Sequence, residues 1–293
     1  MKERRNEHII RQIWHFMVHL RWHYQVFILS GGYLLGAFYQ DTLNLDRFLI
    51  EFLNVHLLLF GGATAYNSYW DKDEGPIGGL AHPPAMHKWM WPSSLILQIL
   101  GLWIASWAGW IFVLVYTISM LFFWLYSTPL ARWKGSPIKS MIAIGLSTGT
   151  NSFMMGYLAA GPDLPGVSEY VAALGVALVI LSMYPVSQIF QIEEDQRRGD
   201  QTFAAKFGKK GVERFFLSAF IAGTLSIALT FYKFSPLLSL LFGVVCLGTG
   251  LFIWHQLSQL LGRSEEYAKV MQMKYVASFS FVLFILVILL LKF

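Results

Sequence analysis

Between residues 22 and 292 the chain is a succession of apolar runs, each about as long as a membrane-spanning helix. A spanning helix needs roughly 20 mostly apolar residues, because backbone polar groups in hydrocarbon have to be satisfied within their own segment. Hydropathy marks about nine such runs, at 22–39, 48–70, 93–109, 111–127, 137–160, 169–191, 213–232, 236–261 and 271–292. Only Gly109-Trp110 separates the third run from the fourth, which predicts a tight helical hairpin. The turn Gly161-Pro-Asp-Leu-Pro-Gly166 parts the fifth from the sixth. Upstream, Ile9, Ile10, Ile13, Trp14, Phe16, Met17 and Leu20 alternate with Arg11, His15 and His19, the pattern of a helix lying in the membrane interface. No small-residue cleavage site follows the basic start, so residues 1–21 are expected to be a retained interfacial segment. The expected fold is an all-α membrane protein, one transmembrane domain over 1–293 with about nine helices in a bundle.

The charges agree with that reading. Charged residues make up 13% of the chain and hydrophobic ones 56%, where a soluble domain carries about a quarter charged. A net charge of +5 invites a nucleic-acid reading, but the distribution removes it. Counted over the nine runs, all Lys and Arg except Arg47, Lys233 and Lys292 fall on the side that holds the N-terminus and loops 71–92, 128–139, 192–214 and 262–274. Such an asymmetry fits an odd number of spans with a cytoplasmic N-terminus. The long, polar loops lie on this same side, so function is expected to face the cytoplasm. The single cysteine, Cys246, sits in an apolar run and reads as a packing residue.

Two polar knots interrupt the apolar pattern at matching places. The second run ends in Asn67-Ser-Tyr-Trp-Asp71-Lys-Asp-Glu74, where about 100° per residue puts Asn67, Asp71 and Glu74 on one helical stripe. The sixth ends in Gln188-Ile-Phe-Gln191-Ile-Glu-Glu194-Asp195, with Gln188, Gln191 and Asp195 sharing a face and Glu194 on its flank. Pro185 is expected to kink the helix just before it. A second helix in each half that ends in a polar motif suggests two pseudo-repeated four-helix halves plus a final helix. Oxygen-rich stripes facing each other suit Mg²⁺, which binds through few carboxylates together with substrate phosphates. Ordinary loop acids neutralised by Lys72, Arg197 and Arg198 are the plainer alternative; intramembrane charge favours function. A third segment, Tyr126-Ser-Thr-Pro-Leu-Ala-Arg132-Trp-Lys134, closes the fourth run on the same side, where Arg132 and Lys134 are placed to neutralise phosphate. As a topological anchor it would need no ligand at all.

Together these residues resemble the UbiA superfamily of intramembrane prenyltransferases, which has nine helices, an NxxxDxxxD motif, a basic YSxP…RxK loop and a second Asp-rich motif. The resemblance spans nearly the whole chain. It implies Mg²⁺-dependent transfer of a prenyl group from a polyprenyl diphosphate to an aromatic or other lipophilic acceptor within the membrane, with membrane lipids but no nucleic acid as partners. The implied metal ligands are Asn67, Asp71, Glu74, Gln191, Glu194 and Asp195, with Asp71 and Asp195 catalytic. Arg132, Lys134 and Arg198 are the implied diphosphate ligands, and Tyr126 or a nearby Trp is implied to offer its ring face to the allylic cation. Two positions depart from the family pattern: Glu74 stands one residue short of the expected acid, with Gly75 in its place, and Gln191 replaces an expected aspartate. That second departure keeps open a membrane terpene cyclase of the same fold, and a transporter or lipid-binding protein that does no chemistry. Asn54, His56, Asn151, His255 and Gln256 are expected to bond between helices, and the glycines of the first, fifth and eighth runs to mark close helix contacts.

Overall fold

The computed structural model describes residues 2–72 and 75–293, with side chains from Ile9 onward. In chain order its helices are α1 Lys2–Leu20, α2 Trp22–Ile28, α3 Ser30–Phe38, α4 Leu45–Leu53, α5 Gly61–Asp71, α6 Met90–Ala105, α7 Trp110–Ser127, α8 Pro137–Ile144, α9 Asn151–Ala160, α10 Val167–Met183, α11 Ile192–Arg198, α12 Phe203–Tyr232, α13 Pro236–Gln259 and α14 Tyr267–Lys292. Among the described residues the sole β-type pairing is an isolated bridge between Ile77 and Leu80. Among the described residues, seven helical runs are long and apolar enough to cross a membrane, beginning at Leu45, Met90, Trp110, Val167, Phe203, Pro236 and Ser264. The protein is therefore an integral membrane protein. Leu225, Leu229, Leu237, Leu240, Leu247, Leu290 and Leu291 stand exposed on the outer faces of the last three runs, where lipid would cover them.

Two of the nine predicted runs are not among those seven. The run at 22–39 divides at Leu29 (φ −103°, ψ −8°) into α2 and α3. Gly31-Gly32, weak helix formers, follow the break at once. The run at 137–160 stays helical but passes through a π-helical turn, Gly145–Thr150, and its Ser147, Thr148, Thr150 and Asn151 dilute its apolar character. A second π-helical turn, Asn54–Phe60, joins α4 to α5. The hairpin predicted at Gly109-Trp110 is present, with Gly109 at φ 106°, a conformation that favours glycine.

Small residues set how closely the helices approach. A Cβ on Gly156 of α9 would overlap the Tyr33 carbonyl of α3, and one on Gly36 would overlap the Phe153 carbonyl, so these helices touch backbone to backbone. Gly175 and Gly223 do the same for α10 and α12, where a Cβ on Gly223 would lie 2.8 Å from the Gly175 carbonyl. The expectation fails for Gly243 and Gly248 of α13, whose missing side chains face open space. Asn54 and Asn151 bond between helices as expected, to the Gly101 carbonyl (2.9 Å) and the Ser119 hydroxyl (2.9 Å). His56 and His255 instead bond within their own helices, to the Phe52 carbonyl and to Gln259. The amphipathic α1 lies across the loop before α6, with Trp89 donating to Gln12 (2.9 Å) and Phe16 and Leu20 packed against Ala65 and Met90. Its Ile9, Ile10, Ile13 and Trp14 face outward, as an interfacial helix requires.

Candidate active site

Asn67 and Asp71 come from the last turn of α5. The Asn67 amide donates to Asp71 Oδ2 (2.8 Å) one turn on, and its carbonyl accepts from Ser127 Oγ (2.8 Å) at the end of α7. A bond at 2.9 Å between the Tyr66 and Thr128 hydroxyls ties the same two helix ends together. Helix α5 stops at Asp71 because Lys72 adopts the left-handed conformation (φ 49°), its N–H closing on the Ser68 carbonyl. The helical register that would align Glu74 with Asn67 and Asp71 thus ends before Glu74, which itself lies outside the described residues.

The loop after α7 brings the cations. Lys134 places its ammonium on Asp71 Oδ1, both side chains being nearly buried. Arg132 forks onto Asp200, with Nε donating to Oδ1 (3.0 Å) and Nη2 to Oδ2 (2.7 Å). This carboxylate holds the Arg132 guanidinium charged even more firmly than usual. Next to it the Gln201 N–H donates to the Gly135 carbonyl (3.1 Å), and a Cβ on Gly135 would press to 2.8 Å from Asp200 Oδ1. The loop between α7 and α8 is therefore clamped to the chain between α11 and α12.

The second knot is not one continuous helical stripe. Pro185 offers no N–H, and after α10 the chain tightens into a 3₁₀ turn, Val186–Gln191, before α11 begins. The α-helical repeat is therefore broken at Gln191, but Gln188, Gln191 and Asp195 still line one cavity, as their predicted common face requires. Gln188 is buried and accepts the Ala204 N–H (3.2 Å) at the start of α12. Gln191 donates to the Pro76 carbonyl (3.4 Å), and Asp195 Oδ2 accepts from Thr202 Oγ1 (2.8 Å). Glu194 pairs with Arg198 at 2.5 Å, and Arg198 also reaches the Lys72 carbonyl (3.4 Å). Glu193 faces solvent, as its place on the helix predicts.

These groups converge on one cavity of about 320 Å³. Its polar end takes Asn67, Asp71, Lys134, Gln191, Glu194, Asp195 and Arg198, and its shaft is lined by Phe60, Phe123, Ile180, Phe220, Phe242 and Phe281. Tyr126 stands on the wall with its hydroxyl 3.1 Å from that of Tyr184. Arg132 is not on the wall; it braces Asp200, which is. Asp200 and Thr202 are wall residues that the pattern of stripes did not single out, although the run Arg198-Gly-Asp200 beside an acidic motif carries the signal.

Among the described residues no three His, Cys, Asp or Glu side chains stand close enough to cage a metal. The donors at the polar end are nonetheless all oxygens, amide and carboxylate, which suits a hard cation. Mg²⁺ needs no complete protein cage, since it keeps waters and takes phosphate oxygens as ligands. The residues present fit that ion.

The chain matches the model of the UbiA prenyltransferase family over residues 26–278. Solved structures share its fold. A UbiA homolog from Archaeoglobus fulgidus bound to GPP and Mg²⁺ aligns with a TM-score of 0.73 at 16% identity, covering 94% of this chain and 99% of that one. A UbiA homolog from Aeropyrum pernix K1, without ligand, aligns at 0.65 and 15% identity over 89% and 98% of the two chains. A digeranylgeranylglyceryl phosphate synthase aligns at 0.57 and 20% identity over 94% and 98%. A sequence search of curated proteins found no match. A family match over most of the chain and a common fold along nearly all of it lead to one conclusion: this chain belongs to the UbiA prenyltransferase family.

Proposed function

We propose that the protein transfers a prenyl group from a polyprenyl diphosphate to a lipophilic acceptor, within the membrane and with Mg²⁺. One observation carries this reading: a single cavity joins an oxygen- and cation-lined mouth to a shaft of aromatic and aliphatic side chains. The mouth suits a diphosphate and the shaft suits an isoprenoid tail. Mg²⁺ would be held by Asn67, Asp71, Gln191, Glu194 and Asp195, with Glu74, outside the described residues, a further ligand. When bound, it supplies Lewis-acid charge on the diphosphate oxygens.

The protein's own residues do the rest. Lys134 and Arg198 exchange their carboxylate partners for phosphate oxygens and stabilise the charge that builds on the leaving group. The C1–O bond breaks with its electron pair going to the diphosphate. The allylic cation faces the Tyr126 ring in a space lined by apolar side chains that keep water out. An electron pair on the acceptor closes the new bond, and the acceptor then loses a proton. Asp71 and Asp195 are the catalytic carboxylates in this scheme.

The charge asymmetry supports a cytoplasmic mouth and N-terminus, and with them an odd number of crossings. In this reading α2–α3 and α8–α9 also cross, giving nine, with the two knots ending equivalent helices of two repeated halves.

The test uses purified protein, labelled geranylgeranyl diphosphate and a membrane lipid extract as acceptor source. Mg²⁺-dependent diphosphate release with a prenylated product is expected, and EDTA is expected to abolish it until Mg²⁺ is restored in excess. Release no greater than that of an Asp71→Ala plus Asp195→Ala control would defeat the enzyme reading. A hydrocarbon or prenyl alcohol as the only product would move the protein to cyclase chemistry. In the same assay Arg132→Lys keeps the charge but loses the fork onto Asp200. The rate is expected to fall by about 10- to 100-fold; an unchanged rate would remove the positioning role of that fork.

A further inference from the structure

The apolar shaft has a floor. Counted away from the polar mouth, the wall residues of α3 stop at Gly32, those of α10 at Val176, those of α13 at Phe242 and those of α14 at Phe284. Helix α14 starts beside the mouth, where Tyr267 packs edge-on against Phe190 of the second knot, 5.2 Å between ring centres. Lys274, one of its first wall residues, is held by Tyr24, which packs against Gly78 in the loop after α5. From there to Phe284 is ten residues, about 15 Å of helix. On the α5 side, Asp71 to Phe60 spans about 16 Å. At the bottom the rings of Phe242, Phe281 and Phe284 close on one another, with 6.1 Å between the centres of Phe242 and Phe281 and 5.5 Å between those of Phe242 and Phe284. Phe231, fully buried, backs them at 5.1 Å from Phe242.

Phe281 has a particular seat. A Cβ on Gly31 of α3 would overlap Cδ1 of its ring and come to 2.7 Å from Cε1. The ring lies against the bare backbone of α3 because residue 31 has no side chain. Gly31 is inside a helix, where alanine is the better helix former, so this glycine answers to packing and not to backbone freedom. Any side chain there would drive the ring toward the open shaft, since the other directions are filled by core.

Resting on the prenyl-transfer reading, we infer that this floor measures the donor: the protein takes a prenyl diphosphate of three or four isoprene units, and Phe281, seated on Gly31, sets the limit. Each isoprene unit adds four carbon–carbon bonds, about 5 Å when extended. Three units therefore fill the shaft straight and a fourth fits bent. Two more would have to displace phenylalanine rings that are packed from behind.

Binding to the full chain in lipid nanodiscs with Mg²⁺ tests this without turnover. The probes are geranyl, farnesyl, geranylgeranyl and hexaprenyl thiolodiphosphates, which ionise slowly, measured by equilibrium dialysis against empty nanodiscs. The wild type is expected to bind the farnesyl and geranylgeranyl compounds within about threefold of each other, and the hexaprenyl compound about tenfold more weakly or worse. Phe281→Ala deepens the shaft and is expected to bring hexaprenyl within about threefold of geranylgeranyl. Gly31→Ala is expected to weaken geranylgeranyl about tenfold while geranyl changes by less than about twofold, and adding Phe281→Ala to it restores geranylgeranyl. Retained geranyl affinity also reports that each variant folds. A wild type that binds hexaprenyl as tightly as geranylgeranyl overturns the inference and leaves prenyl transfer standing, because the tail then passes sideways into lipid. A length preference unmoved in Phe281→Ala overturns it as well. Loss of every length in Gly31→Ala, without rescue by Phe281→Ala, overturns the pairing of the two residues and assigns Gly31 to helix packing alone. A wild type that binds none of the four defeats the prenyl-transfer reading and the length limit with it.

Discussion

Replacing Asp71 with alanine is expected to lower kcat/KM for prenyl transfer by about 10³-fold, roughly 4 kcal/mol of transition-state stabilisation. The size follows from how much converges on this one carboxylate. Its Oδ1 pairs with Lys134 and its Oδ2 accepts the Asn67 amide, which is in turn oriented by Ser127. Removing it frees a nearly buried ammonium to wander from the mouth and removes the carboxylate that, in the proposed scheme, would hold Mg²⁺ on this side. The amide variant Asp71→Asn separates these effects, since it keeps an oxygen and the bond from Asn67 but no charge. Single-turnover measurement of diphosphate release is expected to show Asn nearer to Ala than to the wild type. A loss below tenfold in both would mean that the mouth does not act through Asp71.

The effect should be larger than for Asp195. That carboxylate is bonded to Thr202, a neutral hydroxyl, and it has Glu194 beside it in sequence to take over part of a charge. The asymmetry was visible in the sequence, where the first knot keeps its leading aspartate and the second has Gln191 in place of one. What the sequence did not reveal is how the second knot is built. Helical spacing assumes an unbroken 3.6-residue repeat, and the 3₁₀ turn after Pro185 interrupts it, so that Gln188, on the cavity wall with Gln191 and Asp195, also accepts the Ala204 N–H of α12. A break of this kind depends on what the following helix requires, and no local pattern records that. The sequence gives Asp200 no role for a related reason: its partner is 68 residues upstream, and only folding brings Arg132 to it. The apolar runs were read more easily because lipid imposes the same demand on each of them. Where two of the nine runs are divided or diluted, at Leu29 and in the Ser- and Thr-rich π turn before Asn151, neighbouring helices shield the chain and lipid dictates less of its composition.

Gly156→Ala is expected to cost about 3 kcal/mol, the upper part of the range for overpacking, because the added methyl would overlap the backbone carbonyl of Tyr33 rather than a side chain that can turn away. Backbone atoms of α3 cannot yield without moving the helix, and α3 is fully buried along Ser30–Phe38. At about 2 °C per kcal/mol for a chain of this size, the melting temperature in detergent should fall by roughly 6 °C. Gly243→Ala is the matched control. Its Cβ meets nothing within 4 Å, and alanine is the better helix former by about 1 kcal/mol in water, so this change should leave the melting temperature unchanged or raise it. The contrast also reaches function. Gly31 and Gly32 of α3 and Thr148 of the turn leading into α9 all line the cavity, so prying α3 from α9 widens the shaft that is proposed to take the prenyl tail. Gly156→Ala protein that remains folded is therefore expected to show a higher KM for the prenyl diphosphate, with a smaller change in kcat. A melting temperature equal to that of the wild type would mean that the α3–α9 contact is looser than the backbone overlap requires.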